Sequence, residues 1–251
     1  MFDFAVIGSG LIGSAVARFL SAASASVVAI GPNEPVDWRA HHGVFASHYD
    51  QGRITRILDP DPVWATLAAR SISEYAEIEA RSGLRFHFPV GCLRIHQQST
   101  QPRERLAPVI ELGRRMGVDF SVHDAAGLAE LFPFLRVGSQ AAAAWERGGA
   151  GYINPRTLVQ AQLAIGARQG ATIVRETAVA LQHAAEGMII DTDAGQRHRA
   201  QCVIITAGAW TNLPPQRPLD LRPKKVTVVL AEVDQVEADR LAALPSGEAS
   251  P

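Results

Sequence analysis

Three observations predict an α/β fold for this chain. A strand, a glycine-rich turn, a helix and a second strand open it, over residues 4–31. Helical and strand-like patterns then succeed one another as far as Thr206. Between them, residues 84–146 carry short strand patterns separated by Pro and Gly, the signature of an antiparallel region.

The elements follow in order. Phe4-Ala5-Val6-Ile7 is an apolar run that stops at Gly8-Ser9-Gly10-Leu11-Ile12-Gly13. Ile12, Ala15, Val16, Phe19 and Leu20 then recur at intervals of three and four, which is helical spacing, and Val27-Val28-Ala29-Ile30 closes the unit at Gly31-Pro32. A helix is expected over 61–81, with Trp64, Leu67, Ser71, Tyr75 and Ile78 on one face and Gly83 as its stop. Leu84–Phe88 and Cys92–Ile95 read as a hairpin around Pro89 and Gly91. Leu106 to Met116 marks another helix, Val118–Val122 and Ala141–Glu146 two more strands. Pro155, well placed in a first turn, starts a helix that runs to Arg168 before Gly170. Strands are expected at Thr172–Val174, Thr177–Leu181, Met188–Asp193 and Cys202–Thr206.

Bulk properties narrow the function. Hydrophobic residues make up 47% and charged residues 20% of 251, an ordinary globular composition that excludes a disordered or fibrous chain. The net charge of −1 and the lack of a basic face argue against nucleic-acid binding. Phe4 to Asn33 carries one charge, Arg18, but the uncharged stretches on either side of it are too short for a bilayer, and Asp3 stands where a signal peptide needs a base. No membrane span is expected. Cys92 and Cys202, both in apolar runs, are read as buried reduced thiols of a cytoplasmic protein. HExxH, CxxC and GxSxG are absent, and His41-His42 lacks a third ligand, so no metal is expected. Ser47, His48 and Asp50 lie too close along the chain to converge as a triad.

The opening unit carries specific chemistry. In a dinucleotide-binding βαβ, Gly8 permits the tight turn, Gly10 lets the backbone approach a pyrophosphate, and Gly13 lets the helix pack against the strand. The pyrophosphate meets the unpaired N–H groups and positive dipole end of the helix. One position departs from the pattern. Gly31 stands where an acid for the ribose hydroxyls is expected; Glu34 substitutes for it, or is a solvated turn glutamate. Further on, Arg53 and Arg56 suit recognition of an anion such as a carboxylate, or pair with Asp59 or Asp61.

Four segments together resemble the flavin-dependent D-amino-acid oxidase superfamily, and within it the sarcosine oxidase and N-methyl amino acid oxidase branch. They are Gly8–Gly13, Ser47-His48-Tyr49-Asp50-Gln51-Gly52-Arg53-Ile54-Thr55-Arg56, Gly151-Tyr152-Ile153-Asn154-Pro155, and the strand Cys202–Thr206 with Ala207-Gly208-Ala209-Trp210. The resemblance implies a Rossmann-like FAD-binding domain with an interleaved antiparallel β-rich substrate domain. It assigns residues 1–83 and 147–212 to the first, 84–146 to the second, and 213–251 to the start of the remaining substrate domain. Gly8, Gly10, Leu11, Ile12 and Gly13 would hold the FAD pyrophosphate, Val179 would lie on the adenine side, and Ala207 and Gly208 would approach the cofactor through their backbone. Arg56 would clamp a substrate carboxylate, Arg53 would sit over the flavin, and His48 and Tyr49 would line the same face. The implied reaction is oxidation of the C–N bond of a small amine or (N-methyl) amino acid, with electrons passing on to O2 or another acceptor and the imine hydrolysed in water.

The same resemblance implies that the chain stops early. Family members continue beyond the point matching Val226–Val233, and neither Cys92 nor Cys202 falls at the branch's covalent flavin link, nor Lys224 or Lys225 at its oxygen-activating base. A C-terminally incomplete sheet would expose strand edges, so self-association is expected. Two rivals remain: a truncated or degenerate flavin-fold protein without catalysis, and an NAD(P)-dependent dehydrogenase, which requires further parallel βαβ units directly after residue 31.

Overall fold

The computed structural model describes residues 1–37, 39–97, 102–212, 219–224, 229, 231–242 and 244–250. Lys225, and half of the stretch Val226–Val233 with it, lies outside the described residues. The first half contains β1 (Phe2–Ile7), α1 (Leu11–Ala22), β2 (Val27–Ile30), β3 (Arg53–Thr55), α2 (Pro62–Ser82), β4 (His87–Phe88), β5 (Cys92–His96), α3 (Pro102–Arg115), β6 (Phe120–Asp124) and α4 (Ala125–Leu131). There follow β7 (Ala142–Glu146), β8 (Gly151–Ile153), α5 (Pro155–Arg168), β9 (Thr172–Val174), β10 (Ala178–His183), β11 (Met188–Thr192), β12 (Arg197–Ile205), α6 (Gln235–Leu241) and β13 (Ser246–Ser250). The chain divides into two units, one of residues 1–51, 78–86 and 154–228, the other of 52–77, 87–153 and 229–251.

The first unit is built on a six-stranded mixed sheet in the order β10-β11-β12-β1-β2-β9. β12, β1, β2 and β9 run parallel; β11 and β10 complete the sheet as an antiparallel pair. Alternation along the strands divides the core between the two faces. Ala5, Ile7, Val28 and Ile30 pack with Leu181 and Ile190 on one side, while Val6, Val27 and Ala29 pack with Ala17 of α1 and Ala171 on the other. A sheet buried on both faces explains why β1 and β2 read as continuous apolar runs. After β2 the chain does not return to this sheet until β9, so the parallel units a dehydrogenase would need after residue 31 are not there.

In the second unit a four-stranded sheet has the order β13-β5-β7-β6, and a three-stranded antiparallel sheet the order β3-β8-β4. Leu106 and Val109 of α3 pack with Leu58, Ala142 and Ala144 on one side of β7. Leu128 of α4 and Phe132 pack with Leu93, Ile95 and Ala143 on the other.

Three expectations need correction. β4 and β5 do not form a hairpin: β4 pairs with β8, and β5 with β7 and β13. Val90 N donates to Phe88 O at 2.9 Å and Gly91 adopts φ +81°, so this turn passes the chain from one sheet to the other. On α2, Tyr75 and Ile78 are buried as expected, but Trp64 and Leu67 are exposed and Ala65 is buried instead. Periodicity marks a face; it does not say how far along the helix that face has a partner. Cys92 is buried, but Cys202 is exposed, as is its neighbour Gln201 on β12, so an apolar run did not guarantee burial there.

Candidate functional site

In the first unit, the turn between β1 and α1 is shaped by steric limits that only glycine meets. Gly8 sits at φ +101°, and a Cβ there would lie 2.6 Å from Thr206 O. A Cβ on Gly13 would lie 1.7 Å from Gly8 O and 2.5 Å from Thr206 Oγ1. Thr206, at the end of β12, closes the turn: its hydroxyl donates to Gly8 O at 2.7 Å and its N–H to Ile7 O at 2.7 Å. The first backbone bond of α1 runs from Ser14 N to Gly10 O, so the N–H groups of Leu11, Ile12 and Gly13 precede the helical ladder. No side chain caps this terminus and no acid lies in its first turn. That arrangement presents N–H donors and a positive dipole end to an anion.

Other predicted residues of this unit gather in two places. His48 approaches the turn, its Nδ1 3.6 Å from where a Cβ of Gly10 would be. His48 and Phe45 both pack edge-on against Tyr49, with ring centroids 4.8 and 5.0 Å away. Burial, then the nearby Glu34 carboxylate, push the Tyr49 phenol up from its ordinary value. Glu34 itself is held by Arg156 of α5, Oε1 to Nη2 at 2.8 Å, and the same Nη2 donates to Tyr49 O. Glu34 is therefore an ion-pair partner of Arg156 as well as the nearest acid after β2. Ala207 lies beside Gly8, its Cα 2.9 Å from the position of a Gly8 Cβ, and Gly208 follows at φ +55°. Val179 stands apart, half-exposed on edge strand β10, which β11 and β12 separate from β1.

Arg53 and Arg56 belong to the second unit. Arg53 pairs with Ile153 across β3 and β8. Arg56 follows β3, and its Nε and Nη2 donate to Glu248 Oε2 on β13 at 3.2 and 2.6 Å, while Nη1 lies 3.4 Å from Asp59. Arg94 on β5 reaches Glu248 Oε1 at 3.6 Å and donates to Leu58 O at 3.2 Å. Burial disfavours charge on both Arg56 and Glu248, but their mutual hydrogen bond and the opposite charges around them together outweigh it, so Arg56 is raised and Glu248 lowered. The pairing with Asp59 weighed from the sequence is present, with a stronger one added.

Beneath this group is a residue the sequence reading passed over. Glu146, at the end of β7, is 1% exposed. Its carboxylate accepts from Ile57 N at 2.9 and 3.1 Å and from Leu58 N at 2.8 Å, the two residues directly after Arg56. Burial raises its pKa from the ordinary carboxylate range, against the pull of those bonds. A single acid ending an alanine-rich strand was the available signal.

The comparisons with known proteins fit this geometry. Residues 3–248 match the family described as FAD dependent oxidoreductase (DAO). The chain belongs to this family. Among curated relatives, it is 28% identical over 222 residues to a monomeric sarcosine oxidase of Streptomyces avermitilis, covering 88% of this chain and 54% of that protein. A probable sarcosine oxidase of Arabidopsis thaliana is 25% identical over 219 residues, covering 83% and 49%. Among solved structures, glycine oxidase from Geobacillus kaustophilus has the same fold, with a TM-score of 0.67 at 20% identity over 84% of this chain and 56% of that one. The chain thus spans about half the length of the curated relatives it matches, 54% of the first.

The cofactor of this family is FAD. The residues present fit that cofactor. A Cβ at Gly8 or Gly13 would fill the cradle of the turn, and the uncapped end of α1 matches a pyrophosphate. Among the described residues no cluster of His, Cys, Asp and Glu could hold a metal ion, and no helix is long and apolar enough to cross a membrane.

Proposed function

We propose that this chain takes part in oxidising the C–N bond of a small amino acid or N-methyl amino acid, Arg56 being the group that recognises the substrate carboxylate. The supporting observation is the guanidinium edge of Arg56, which holds a carboxylate, that of Glu248, through Nε and Nη2 at 3.2 and 2.6 Å. Both donors meet one carboxylate oxygen, Oε2, and the rigid fork of a guanidinium suits a planar carboxylate. In the proposed complex the substrate carboxylate takes the place of Glu248 on that edge.

The turn Gly8–Gly13 and the N-terminus of α1 would hold the pyrophosphate of FAD, with Ala207 and Gly208 contributing through backbone and Val179 on the adenine side. When bound, FAD would supply the hydride acceptor for the carbon that bears the amine. The protein's share is binding and orientation. Arg56 would fix the carboxylate end and Arg53 would supply a second fixed positive charge, while His48 and Tyr49 would serve beside the glycine turn of the first unit. No strong acid–base pair is needed, because the hard step belongs to the cofactor, and the imine is hydrolysed in water.

The test is anaerobic bleaching of the protein-bound flavin. Sarcosine and other small amino acids are expected to bleach it, and amines of the same size without a carboxylate are not. Arg56→Ala should retain flavin and lose the amino-acid response. Equal bleaching by substrates with and without a carboxylate refutes the clamp.

A further inference from the structure

Gly31 directly follows β2, where dinucleotide-binding units carry the acid for the ribose hydroxyls. Its lack of a side chain has a structural counterpart. A Cβ on Gly31 would lie 2.6 Å from Ser9 N, 2.7 Å from Ser9 Oγ and 2.9 Å from Ser9 Cβ. The space that a residue-31 side chain would enter is occupied by Ser9, in the middle of the glycine turn.

The hydroxyl of Ser9 has no work within the fold. Ser9 is 8% exposed, and its Oγ is buried without a hydrogen-bond partner. Thr206 is a contrast in the same turn, since its hydroxyl is committed to Ile7 O at 3.0 Å and Gly8 O at 2.7 Å. A buried hydroxyl left unpaired destabilises the chain that carries it, so its retention calls for a partner from outside. A serine hydroxyl both donates and accepts, and it faces a ribose hydroxyl as readily as an acid does, without adding charge.

We propose that Ser9 Oγ takes over the task of the missing acid and hydrogen-bonds a hydroxyl of the adenosine ribose of the bound cofactor. This rests on the reading that the chain holds FAD, and the experiment separates the two. Binding of FAD, ADP, 2′-deoxy-ADP and 3′-deoxy-ADP to the full chain and to Ser9→Ala is measured by titration calorimetry, and the thermal midpoint of each ligand-free protein is recorded.

One neutral hydrogen bond predicts about five-fold weaker binding of FAD and ADP by the variant. The loss should vanish with the deoxy analogue that lacks the partner hydroxyl. The ligand-free variant should melt at the same temperature as the parent or above it, because an unpaired buried hydroxyl has been removed. Equal ADP affinity in parent and variant overturns the proposal. So does an equal loss with ADP and both deoxy analogues, which would direct the hydroxyl to phosphate, and so does a lower ligand-free midpoint, which would give it a partner within the fold. A parent chain that binds neither FAD nor ADP overturns the cofactor reading, and this inference with it.

Discussion

Replacing Glu146 by Gln tests whether one buried carboxylate anchors the segment that carries Arg56. The acid is 1% exposed and takes its three bonds from two N–H groups, those of Ile57 and Leu58. Glutamine keeps one acceptor oxygen and turns an NH2 group toward the other N–H, so one charge-assisted bond is lost, about 1.5–3 kcal/mol. Relief from burying a charge opposes this, and the raised pKa of Glu146 means that burial outweighs the bonds of the ionised form. The net expectation at neutral pH is therefore a loss of less than about 2 kcal/mol, below about 4–8 °C in the unfolding midpoint of a chain this long. The pH dependence has a definite sign. Burial holds the Glu146 pKa above its unfolded value, so its contribution is full below the ordinary carboxylate range and is lost as pH rises through the raised folded value. The gap between parent and variant should therefore be widest in acid and narrow as pH rises. Circular dichroism melts across that range are the assay. An active preparation should also show KM for an amino acid rising more than kcat falls, since Ile57 and Leu58 directly follow Arg56. A variant as stable as the parent at every pH refutes the anchoring role.

Gly13→Ala forces a Cβ to within 1.7 Å of Gly8 O, so the turn must open. Loss of flavin through gel filtration is expected, with a destabilisation of about 1–3 kcal/mol; a variant that keeps its flavin would show that the turn does not grip the pyrophosphate. Glu248→Gln removes the carboxylate from between Arg56 and Arg94. Arg56 lowers the Glu248 pKa, so this pair's stability is present above the ordinary carboxylate range and lost as pH falls through the lowered value. Being partly exposed, it is worth about 1 kcal/mol or less, and acid-unfolding curves should lose that step in the variant. The same substitution frees Arg56, so KM for an amino acid should fall rather than rise.

How legible each feature was in the sequence depended on how local its cause is. The glycine turn was readable because its constraint is carried by residues within a few positions: Gly8 needs its positive φ, and Gly13 must clear Gly8 O. Helix α5 was readable at both ends for the same reason, Pro155 entering after the Asn154 cap and Arg168 leaving before Gly170. Strand β3 is only Arg53–Thr55, and what makes it a strand is Gly151–Ile153, far along the chain. Arg56 meets its carboxylate across 192 positions and Glu146 meets Leu58 across 88, distances at which no spacing rule operates. Composition could pick out the arginine but not the acid that holds it. The Gly31 position lies between these cases. Its missing acid was visible as a departure from a local pattern, whereas the replacement was not, because the residue that fills the space belongs to another element. Only the position of a Cβ that the chain does not have brings Ser9 into view. A site can therefore be half legible: the sequence shows which side chain is absent, and the fold shows which neighbour stands in its place.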